Sequence, residues 1–275
     1  TDSVERMKLV VAFVVSGMYM RANQFKPFNP LLGETIEGKY EDGTKIFMEH
    51  TSHHPPISNY LLEGPAENKY KLYGNNEFVG NVKGGGSVLT ILFKGPNTIE
   101  FPDGERITFY NHVNKVRGLM FGDKLLSMEG CLTVENESND LKATILMAPK
   151  VNEIQDEDDP NYFEGLLYYT DGTTSKKDPD RISKIPDVDE EICNINGSWL
   201  EYLNIDDEDL WKIEDSKPSR IKFPKKCLPS DARYREDLIW LYYENEPYAQ
   251  GWKTMLEVQQ RKERKNRQTV EKKRK

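Results

Sequence analysis

Glu49–Pro56 reads EHTSHHPP and holds three of the four histidines of this chain of 275 residues. Adjacent imidazoles, such as those of His53 and His54, can each donate a hydrogen bond to an anion or bind a metal. Pro55 and Pro56 stiffen the backbone directly after them and remove two N–H donors. Such an arrangement is unusual for a simple turn, and it predicts that the segment binds a polar ligand.

The composition is that of a folded, well-solvated protein with one large domain or two small ones. Hydrophobic residues make up 37% of the chain, which suffices for a core, while 31% are charged and the mean hydropathy is -0.73. Cys131, Cys193 and Cys227 are far apart and form no CxxC pair, so neither a disulfide framework nor a zinc ribbon is indicated. We therefore expect a reducing, cytosolic compartment.

The longest apolar run, residues 9–20, predicts a buried helix and not a membrane span. Its 12 residues fall well short of the roughly 20 that a spanning helix needs, and it lacks the basic region and cleavage pattern of a signal peptide. We predict a helix over residues 3–22, with Asp2 or Ser3 as N-cap and Glu5 in the first turn.

Charge is unevenly distributed along the chain. Residues 261–275 hold nine basic side chains against Glu263 and Glu271, a net +7, which leaves -15 on the remainder of a chain whose total is -8. An acidic body argues against broad nucleic-acid binding. The basic end has two interpretations: a solvated helix end, or a segment attracted to an anionic membrane surface at about 1 kcal/mol per charge.

Short strands with frequent turn signals are predicted from about residue 34 to residue 200. Dipeptides such as Asp42-Gly43, Asp103-Gly104 and Asp171-Gly172 are typical of β-hairpin turns. An antiparallel sheet with this many strands must close or be covered, and a barrel is the simplest solution. The β-prone runs are residues 45–49, 59–63, 69–73, 87–93, 106–110, 125–134, 142–147 and 162–170.

The composition changes after residue 200, first to acidic and then to helical. The acidic stretches 204–209 and 152–160 are predicted to be exposed loops, and residues 224–237 an extended linker. From about Glu246 onward the pattern is that of a helix.

Three charged residues of this late helix, Lys253, Glu257 and Arg261, recur at i, i+4 and i+8 on one face. They form either two surface salt bridges worth about 0.3 kcal/mol each, or a polar stripe in which two cations hold phosphates and a carboxylate accepts hydrogen bonds from hydroxyls. The helix by itself does not decide between the two.

A third segment, Lys26–Glu34, reads KPFNPLLGE and forms a rigid, proline-bracketed turn after the first helix. Lys26 and Asn29 are free to point at a ligand, while Phe28 and Leu31 can pack against the protein. The alternative is an ordinary connection between helix and strand.

Together, these segments resemble the two hallmark motifs of the oxysterol-binding-protein-related family, KPxNPxLGE and EQVSHHPP. The chain departs from the second motif at His50 and Thr51, where the family usually has Gln and Val. Residues 229–233, PSDAR, are similar to a further family element, with Ala232 in place of Ser. The first helix and the charged stripe of the late helix also match, so the resemblance covers nearly the whole chain.

The resemblance implies a mainly β fold with flanking helices (α+β), in which an incomplete antiparallel β-barrel encloses a lipid tunnel. Residues 1–275 would form a single ligand-binding domain, composed of a helix over 3–22, a barrel over 34–200 and a C-terminal helical subdomain over 201–275. Family members also carry an N-terminal lid over the tunnel. Because Thr1 already lies in what resembles the helix after that lid, we expect the lid to be missing.

The resemblance further implies that the headgroup of phosphatidylinositol 4-phosphate binds at the barrel mouth. The residues it assigns to this phosphoinositide are Lys26, Asn29, His53, His54, Lys253, Glu257 and Arg261. The two histidines and the arginine would clamp the 4-phosphate, whose nearly two negative charges suit charge-assisted donors. The first lysine and the asparagine would hold the glycerol side, and the remaining lysine and glutamate would contact the inositol ring and its neighbouring phosphate.

We therefore expect a non-vesicular lipid transfer protein that exchanges this lipid for a sterol or phosphatidylserine at cytoplasmic membrane surfaces or contact sites. Such a protein needs no cofactor, catalytic residue or nucleic acid. One alternative is a sensor or scaffold that binds the phosphoinositide without transfer. A second is a metal-dependent hydrolase using His50, His53 and His54, although consecutive histidines before two prolines give an awkward ligand geometry and no HExxH motif is present.

Overall fold

The computed structural model describes residues 2–22, 28–148, 161–174, 178–217 and 219–274. Two of the predictions, the ligand role of Lys26 and the acidic loop over 152–160, lie outside these described residues.

Most of the described chain forms one antiparallel sheet. Twelve of its fourteen strands follow the order β1-β2-β3-β4-β5-β8-β9-β10-β11-β12-β13-β14, and the other two, β6 and β7, pair with each other and lie between β4 and β9. The path is open, with β1 and β14 at its two ends, so the ring is incomplete. The strands are β1 Thr35–Lys39, β2 Lys45–His53, β3 Pro56–Glu63, β4 Lys71–Lys83, β5 Val88–Lys94, β6 Asn97–Glu100, β7 Arg106–Tyr110, β8 Val113–Arg117, β9 Leu125–Asn136, β10 Leu141–Met147, β11 Tyr162–Thr170, β12 Val188–Ser198, β13 Tyr202–Ile205 and β14 Glu208–Lys212.

Three α-helices flank the sheet within the described ranges: α1 Ser3–Ser16, α2 Glu236–Tyr242 and α3 Glu246–Arg274. The predicted first helix ends earlier than residue 22, because Gly17 follows α1 and residues 18–22 form a 3-10 turn. Asp2 occupies the N-cap position without a side-chain cap hydrogen bond, and the Ser3 hydroxyl donates to Glu105 at 2.8 Å. None of the described helices is both long and apolar enough to cross a membrane.

The sheet curves around α1, which fills part of its concave side. Leu72 of β4, Leu132 of β9 and Leu203 of β13 belong to one buried cluster together with Met7 and Val11 of α1. Strands that lie far apart in the sheet order thus share one core, which requires the sheet to bend. We call the face that meets α1 the inner face. Because the open sheet packs around α1, it curves into an incomplete ring.

Strand register fixes which residues lie at each end of the sheet. His53 pairs with Pro56 across the β2–β3 turn, and we call this end of the sheet the histidine rim. The N-terminus of α1 lies at the opposite rim, where the Arg6 guanidinium pairs with Asp103 at 2.8 Å and with Glu105 in the turn between β6 and β7.

The predicted boundary at residue 200 is wrong, because strands continue to Lys212. Leu203 and Ile205 of β13 are buried in the core. Asp206 and Asp207 adopt positive φ values of 50° and 64°, as the two central residues of a tight hairpin turn do. The acidic stretch 204–209 is therefore a hairpin between β13 and β14: its residues 206–209 are exposed as predicted, but only residues 206 and 207 lie outside the strands.

The predicted linker over 224–237 is also wrong. Asp231 forms a parallel bridge with Thr35 of β1, residues 232–234 form a 3-10 turn, and α2 begins at Glu236. The segment thus lies against the first strand. Two of its charged residues, Asp231 and Asp237, are buried there and paired with arginines of the same segment. The predicted helix from Glu246 onward is confirmed as α3.

Candidate functional site

The histidine segment forms the end of β2 and the turn into β3. A register shift between His50 and Ser52 leaves Thr51 without a partner in β3, which is a β-bulge and turns the strand at this point. His50 lies before the bulge and is 5% exposed. His53 and His54 lie after it, at the histidine rim, where His53 is half-buried and His54 is exposed.

A chain of polar contacts orients these imidazoles. Nδ1 of His50 lies 3.0 Å from the Ser58 hydroxyl, and Nε2 of His50 lies 3.2 Å from Nδ1 of His53. The rings of His53 and His54 meet edge to face, with centroids 5.1 Å apart. Because the bond to His50 occupies Nδ1 of His53, Nε2 is the nitrogen of that ring that can meet a ligand. His50 thus supports the adjacent pair.

The electrostatic environment keeps two of these imidazoles neutral more readily than free histidine. Burial, followed by the charges of His54, Arg264 and Arg267, lowers the pKa of His53, and Glu257 partly opposes this. Burial and His53 lower the pKa of His50. Arg264, Arg267 and Glu257 belong to α3, so this helix lies within electrostatic range of the histidine turn.

The KPFNPLLGE turn is joined directly to the histidine strand. The Gly33 N–H donates to the His50 carbonyl at 2.8 Å, and the His50 N–H donates to the Glu34 carbonyl at 2.9 Å. Gly33 has a φ of 81°, a conformation that favours glycine. Fifteen residues separate Glu34 from His50 in the sequence. The pairing of β1 with β2 brings the two motifs side by side in one sheet.

A buried arginine anchors the same turn. Nη1 of Arg235 donates to the Asn29 carbonyl at 2.9 Å and to the Glu34 carboxylate at 2.7 Å. Its Nε and Nη2 donate to the Asp237 carboxylate at 3.0 and 2.6 Å, and that aspartate is 0% exposed. The Leu31 N–H also donates to Glu34. A single guanidinium thus holds the turn at both Asn29 and Glu34.

The three charged residues of α3 form the predicted row. Lys253 and Arg261 each lie 3.8 Å from a Glu257 carboxylate oxygen. The Lys253 ammonium also lies 5.4 Å from the centre of the Phe28 ring, which brings the KPFNPLLGE turn against α3. Both interpretations of the row are therefore compatible with the geometry: the salt bridges exist, and the row adjoins the histidine rim.

Lys253 contacts Phe28, the neighbour of Asn29, and Glu257 acts on the electrostatics of His53, so the segments that carry Asn29, His53, His54, Lys253 and Glu257 adjoin. Their assignment to a ligand stays a prediction. Arg261 follows on the same helix, but its side chain is 59% exposed.

Two further side chains of α3 were missed by sequence reasoning. Gln260 is 8% exposed, and its Nε2 has no hydrogen-bond partner within the described part of the chain. The same is true of Nε of Arg264, whose charge acts on His53. Seven residues, or two helical turns, separate these side chains from Lys253 and Glu257. That spacing was the available signal, but it does not identify which donors lack partners.

His50 contacts His53, and His53 contacts His54. Within the described ranges, no group of three or more histidine, cysteine, aspartate or glutamate side chains has an arrangement suited to a metal ion. The fourth histidine, His112, is buried in the sheet, where burial and the charge of Arg21 lower its pKa to about 3.

Sequence comparisons place this architecture among known proteins. A family model described as oxysterol-binding protein matches residues 1–275. Oxysterol-binding protein 9 of Dictyostelium discoideum is 33% identical over 97% of this chain and 62% of its own length. Oxysterol-binding protein-related protein 3B of Arabidopsis thaliana is 25% identical over 97% of this chain and 59% of its own length. The chain thus spans less than two thirds of either relative.

Solved structures share the fold at low sequence identity. The Osh1 ORD domain in complex with cholesterol has a TM-score of 0.74 at 22% identity, over 98% of this chain and 68% of that one. The Osh3 ORD of Saccharomyces cerevisiae in complex with PI(4)P has a TM-score of 0.74 at 20% identity, over 95% of this chain and 70% of that one. The predicted fold class is confirmed by these likenesses. Because the family model matches the whole chain and its relatives carry the same description, this chain belongs to the oxysterol-binding protein family.

Proposed function

We propose that this chain is a non-vesicular lipid transfer domain, formed by residues 1–275, that binds phosphatidylinositol 4-phosphate at the histidine rim. It exchanges this lipid for a second one, a sterol or phosphatidylserine, at cytoplasmic membrane surfaces. The observation that carries the proposal is the meeting of three segments at one rim: the histidine turn, the Asn29 turn and the first half of α3. Carriage of a lipid requires no covalent step, cofactor or catalytic residue.

The chemistry of the rim suits a phosphomonoester. His53 and His54 would donate to the 4-phosphate, together with Arg261 as the resemblance implies. Arg264 would add a guanidinium N–H that has no hydrogen-bond partner within the described ranges. A dianionic phosphate gains most from charged, preorganised donors, and the contact between His50 and His53 holds one imidazole in place before the ligand arrives.

The remaining assigned residues would recognise the rest of the headgroup. Lys253 would contact the inositol ring and its neighbouring phosphate, with Glu257 accepting hydrogen bonds from ring hydroxyls. Lys26 and Asn29 would hold the glycerol side. The Arg235 hydrogen bond to the Asn29 carbonyl supports this role, because it fixes the turn in which the asparagine lies.

A cavity of about 600 Å³ on the inner side of the sheet suits the apolar part of a lipid. It lies towards the opposite rim, between α1 and the strands β4 and β6. Leu9, Val10 and Phe13 line it from the helix, and Leu72 and Ile99 line it from the sheet. Such a predominantly apolar lining is typical of sites that bury hydrocarbon. Because the cavity lies away from the histidines, the lipid tail and the headgroup would occupy different parts of the domain.

A transfer assay between vesicles tests this function. Donor vesicles containing phosphatidylinositol 4-phosphate and acceptor vesicles containing a sterol or phosphatidylserine are mixed with catalytic amounts of the protein, and both lipids are followed. We expect the phosphoinositide to move and one acceptor lipid to return. Binding without movement of either lipid would favour the sensor or scaffold, and native mass spectrometry of co-purified lipids identifies the second ligand.

Affinity for phosphatidylinositol 4-phosphate should rise as the pH falls from about 8 to about 6.5. The pKa of His53 is lowered by burial and by His54, Arg264 and Arg267, so this imidazole is neutral in the free protein near neutral pH. A bound phosphate raises that pKa, and binding therefore takes up a proton. Affinity then increases as pH falls through the pKa of the complex, until the phosphate itself gains a proton near pH 6.

Binding of a soluble, short-chain form of the lipid, measured by calorimetry in buffers of different ionisation enthalpy, reports this proton uptake directly. The His53→Gln variant should show a flatter pH profile and a smaller uptake than the parent protein. A parent profile that is flat over this range, with no proton uptake, would contradict the role given to the His53 imidazole.

A further inference from the structure

We propose that two hairpin tips at the histidine rim form a wedge that inserts into an anionic bilayer, a role that rests on the lipid-transfer function proposed above. The tips are residues 83–87, between β4 and β5, and residues 118–124, between β8 and β9. The second tip reads GLMFGDK. Its Phe121 is 84% exposed, the highest value of any large hydrophobic side chain among the described residues, and Met120 beside it is 55% exposed.

Strand register places both tips at the histidine rim. β3 pairs with β4 up to Ile57 and Glu77, close to the histidine turn. β4 then continues from Phe78 to Lys83, paired with β5 alone on that stretch, which corresponds to about 20 Å of strand. Leu89 of β5 pairs with Val116 of β8, so the second tip lies beside the first. The tips therefore project beyond the histidines at the same end of the sheet.

The two tips pack against each other. The Leu119 N–H donates to the Ser87 carbonyl at 3.4 Å. Gly86 has a φ of 101°, and a Cβ at that position would lie 3.0 Å from the Met120 sulfur. Only glycine fits this backbone conformation comfortably and allows the methionine to approach. The contact between the two tips therefore holds the loop that carries the exposed Phe121 in one conformation.

An apolar row leads from the tips onto the inner face of the sheet. Val82 pairs with Leu89, Leu89 with Val116, and Val116 with Leu126. Directly opposite residues of antiparallel strands share a face, and two residues further along this face Met128 belongs to the core beside α1. The apolar surface of the wedge is thus continuous with the side of the sheet that holds the cavity.

The charges around the tips favour an anionic bilayer as the occupant. Lys83 and Lys124 flank the apolar residues, and Asp123 is the acidic residue of the two tips. Arg264 and Arg267 act on His53 at the same rim. A projecting tip of this kind offers too little area for a stable protein partner, which needs about 800 Å² on each side, whereas one aromatic and one methionine with flanking lysines suffice to enter a lipid interface.

Vesicle partition without the phosphoinositide isolates this wedge from the headgroup site. The chain of residues 1–275 is floated with vesicles of phosphatidylcholine and phosphatidylserine. The parent is compared with Phe121→Ser and with the double variant Met120→Ser/Phe121→Ser. Loss of one or two buried apolar side chains predicts partition that is weaker by about tenfold to a hundredfold. The matched control is Tyr242→Ser, which removes an 82% exposed aromatic from α2 and should float as the parent does.

Depth of insertion gives a second, independent readout. The Phe121→Trp variant should gain fluorescence that is quenched by vesicles with brominated acyl chains, whereas Tyr242→Trp should not. Equal flotation of parent and tip variants, or absence of quenching at position 121, would overturn the wedge. If the chain transfers no phosphoinositide but its partition still depends on Phe121, the wedge stands and the proposed function fails. If the chain transfers the phosphoinositide but its partition does not depend on the tips, the proposed function stands and the wedge fails.

Discussion

Replacing His53 and His54 together with alanine should reduce extraction of phosphatidylinositol 4-phosphate from liposomes by a factor of about 10² to 10⁴. Each imidazole is assigned one hydrogen bond to the charged phosphate, and such bonds contribute about 1.5–3 kcal/mol each. His53 is half-buried and His54 is exposed at the rim, so their removal should leave the fold intact. Uptake of the second lipid should persist, because the cavity beside α1 lies away from the histidines.

The matched control for this variant is Lys45→Ala, which removes an exposed cation from the other end of β2. It should extract the phosphoinositide as the parent does. Intact extraction by the double histidine variant would show that the headgroup assignment is wrong. Loss of uptake of both lipids would instead point to a damaged fold, which circular dichroism and the unfolding midpoint detect.

The same assay separates two arginines of α3. The resemblance assigns the 4-phosphate to Arg261, which is 59% exposed, whereas Arg264 is the arginine of α3 whose Nε has no hydrogen-bond partner among the described residues. If both bind the phosphate, Arg261→Ala and Arg264→Ala should each weaken extraction by about tenfold or more. If one of these variants extracts the phosphoinositide as the parent does, the arginine it replaces does not bind the phosphate.

Local sequence signals predicted the parts of the site that are set within one segment. The prolines and histidines of 49–56 and the i, i+4, i+8 row on α3 are local, and the structure retains both as features of one rim. Longer strands such as β9 and β11 were found for the same reason, since their runs of β-prone residues are continuous.

What could not be predicted depends on contacts between distant segments. Strands β6, β8 and β13 have four or five residues each, too few for a clear alternation, and they exist because neighbouring strands pair with them. The rotation of α3 leaves donors of Arg264 and Gln260 without partners in the described part of the chain, and it is set by packing and not by helix periodicity alone. His50 was considered as a metal ligand or a departure from the family motif, and only the fold reveals its contact with His53.

The curvature of the sheet was equally hidden from the sequence. A barrel was predicted because so many strands cannot remain flat and uncovered, but the sequence does not say what fills the concave side. In the structure α1 does so, with Met7, Val10, Val11 and Val15 buried at helical spacing. The opposite face of the helix leaves Leu9 and Phe13 exposed along the cavity, which is why the helix contributes both to the core and to the lining.

Replacing Asp237 with alanine should lower the free energy of unfolding by about 3–5 kcal/mol, the usual cost of leaving one member of a buried ion pair alone. The Asp237 carboxylate accepts hydrogen bonds from two nitrogens of Arg235, and both residues are buried. Without it, half of the guanidinium loses its partners, while the other half still binds Glu34 and the Asn29 carbonyl. The motif turn should therefore loosen as the fold weakens.

Chemical denaturation of the Asp237→Ala variant measures this loss, and the neighbouring Glu236→Ala variant is its control. Glu236 occupies the same first turn of α2 but is exposed, so its removal should cost only about 0.3–1 kcal/mol through the helix dipole. Asp237→Asn, which preserves shape and one acceptor, should fall between the two. If Asp237→Ala is no less stable than Glu236→Ala, water or another side chain satisfies the guanidinium, and Arg235 is not the anchor of the Asn29 turn.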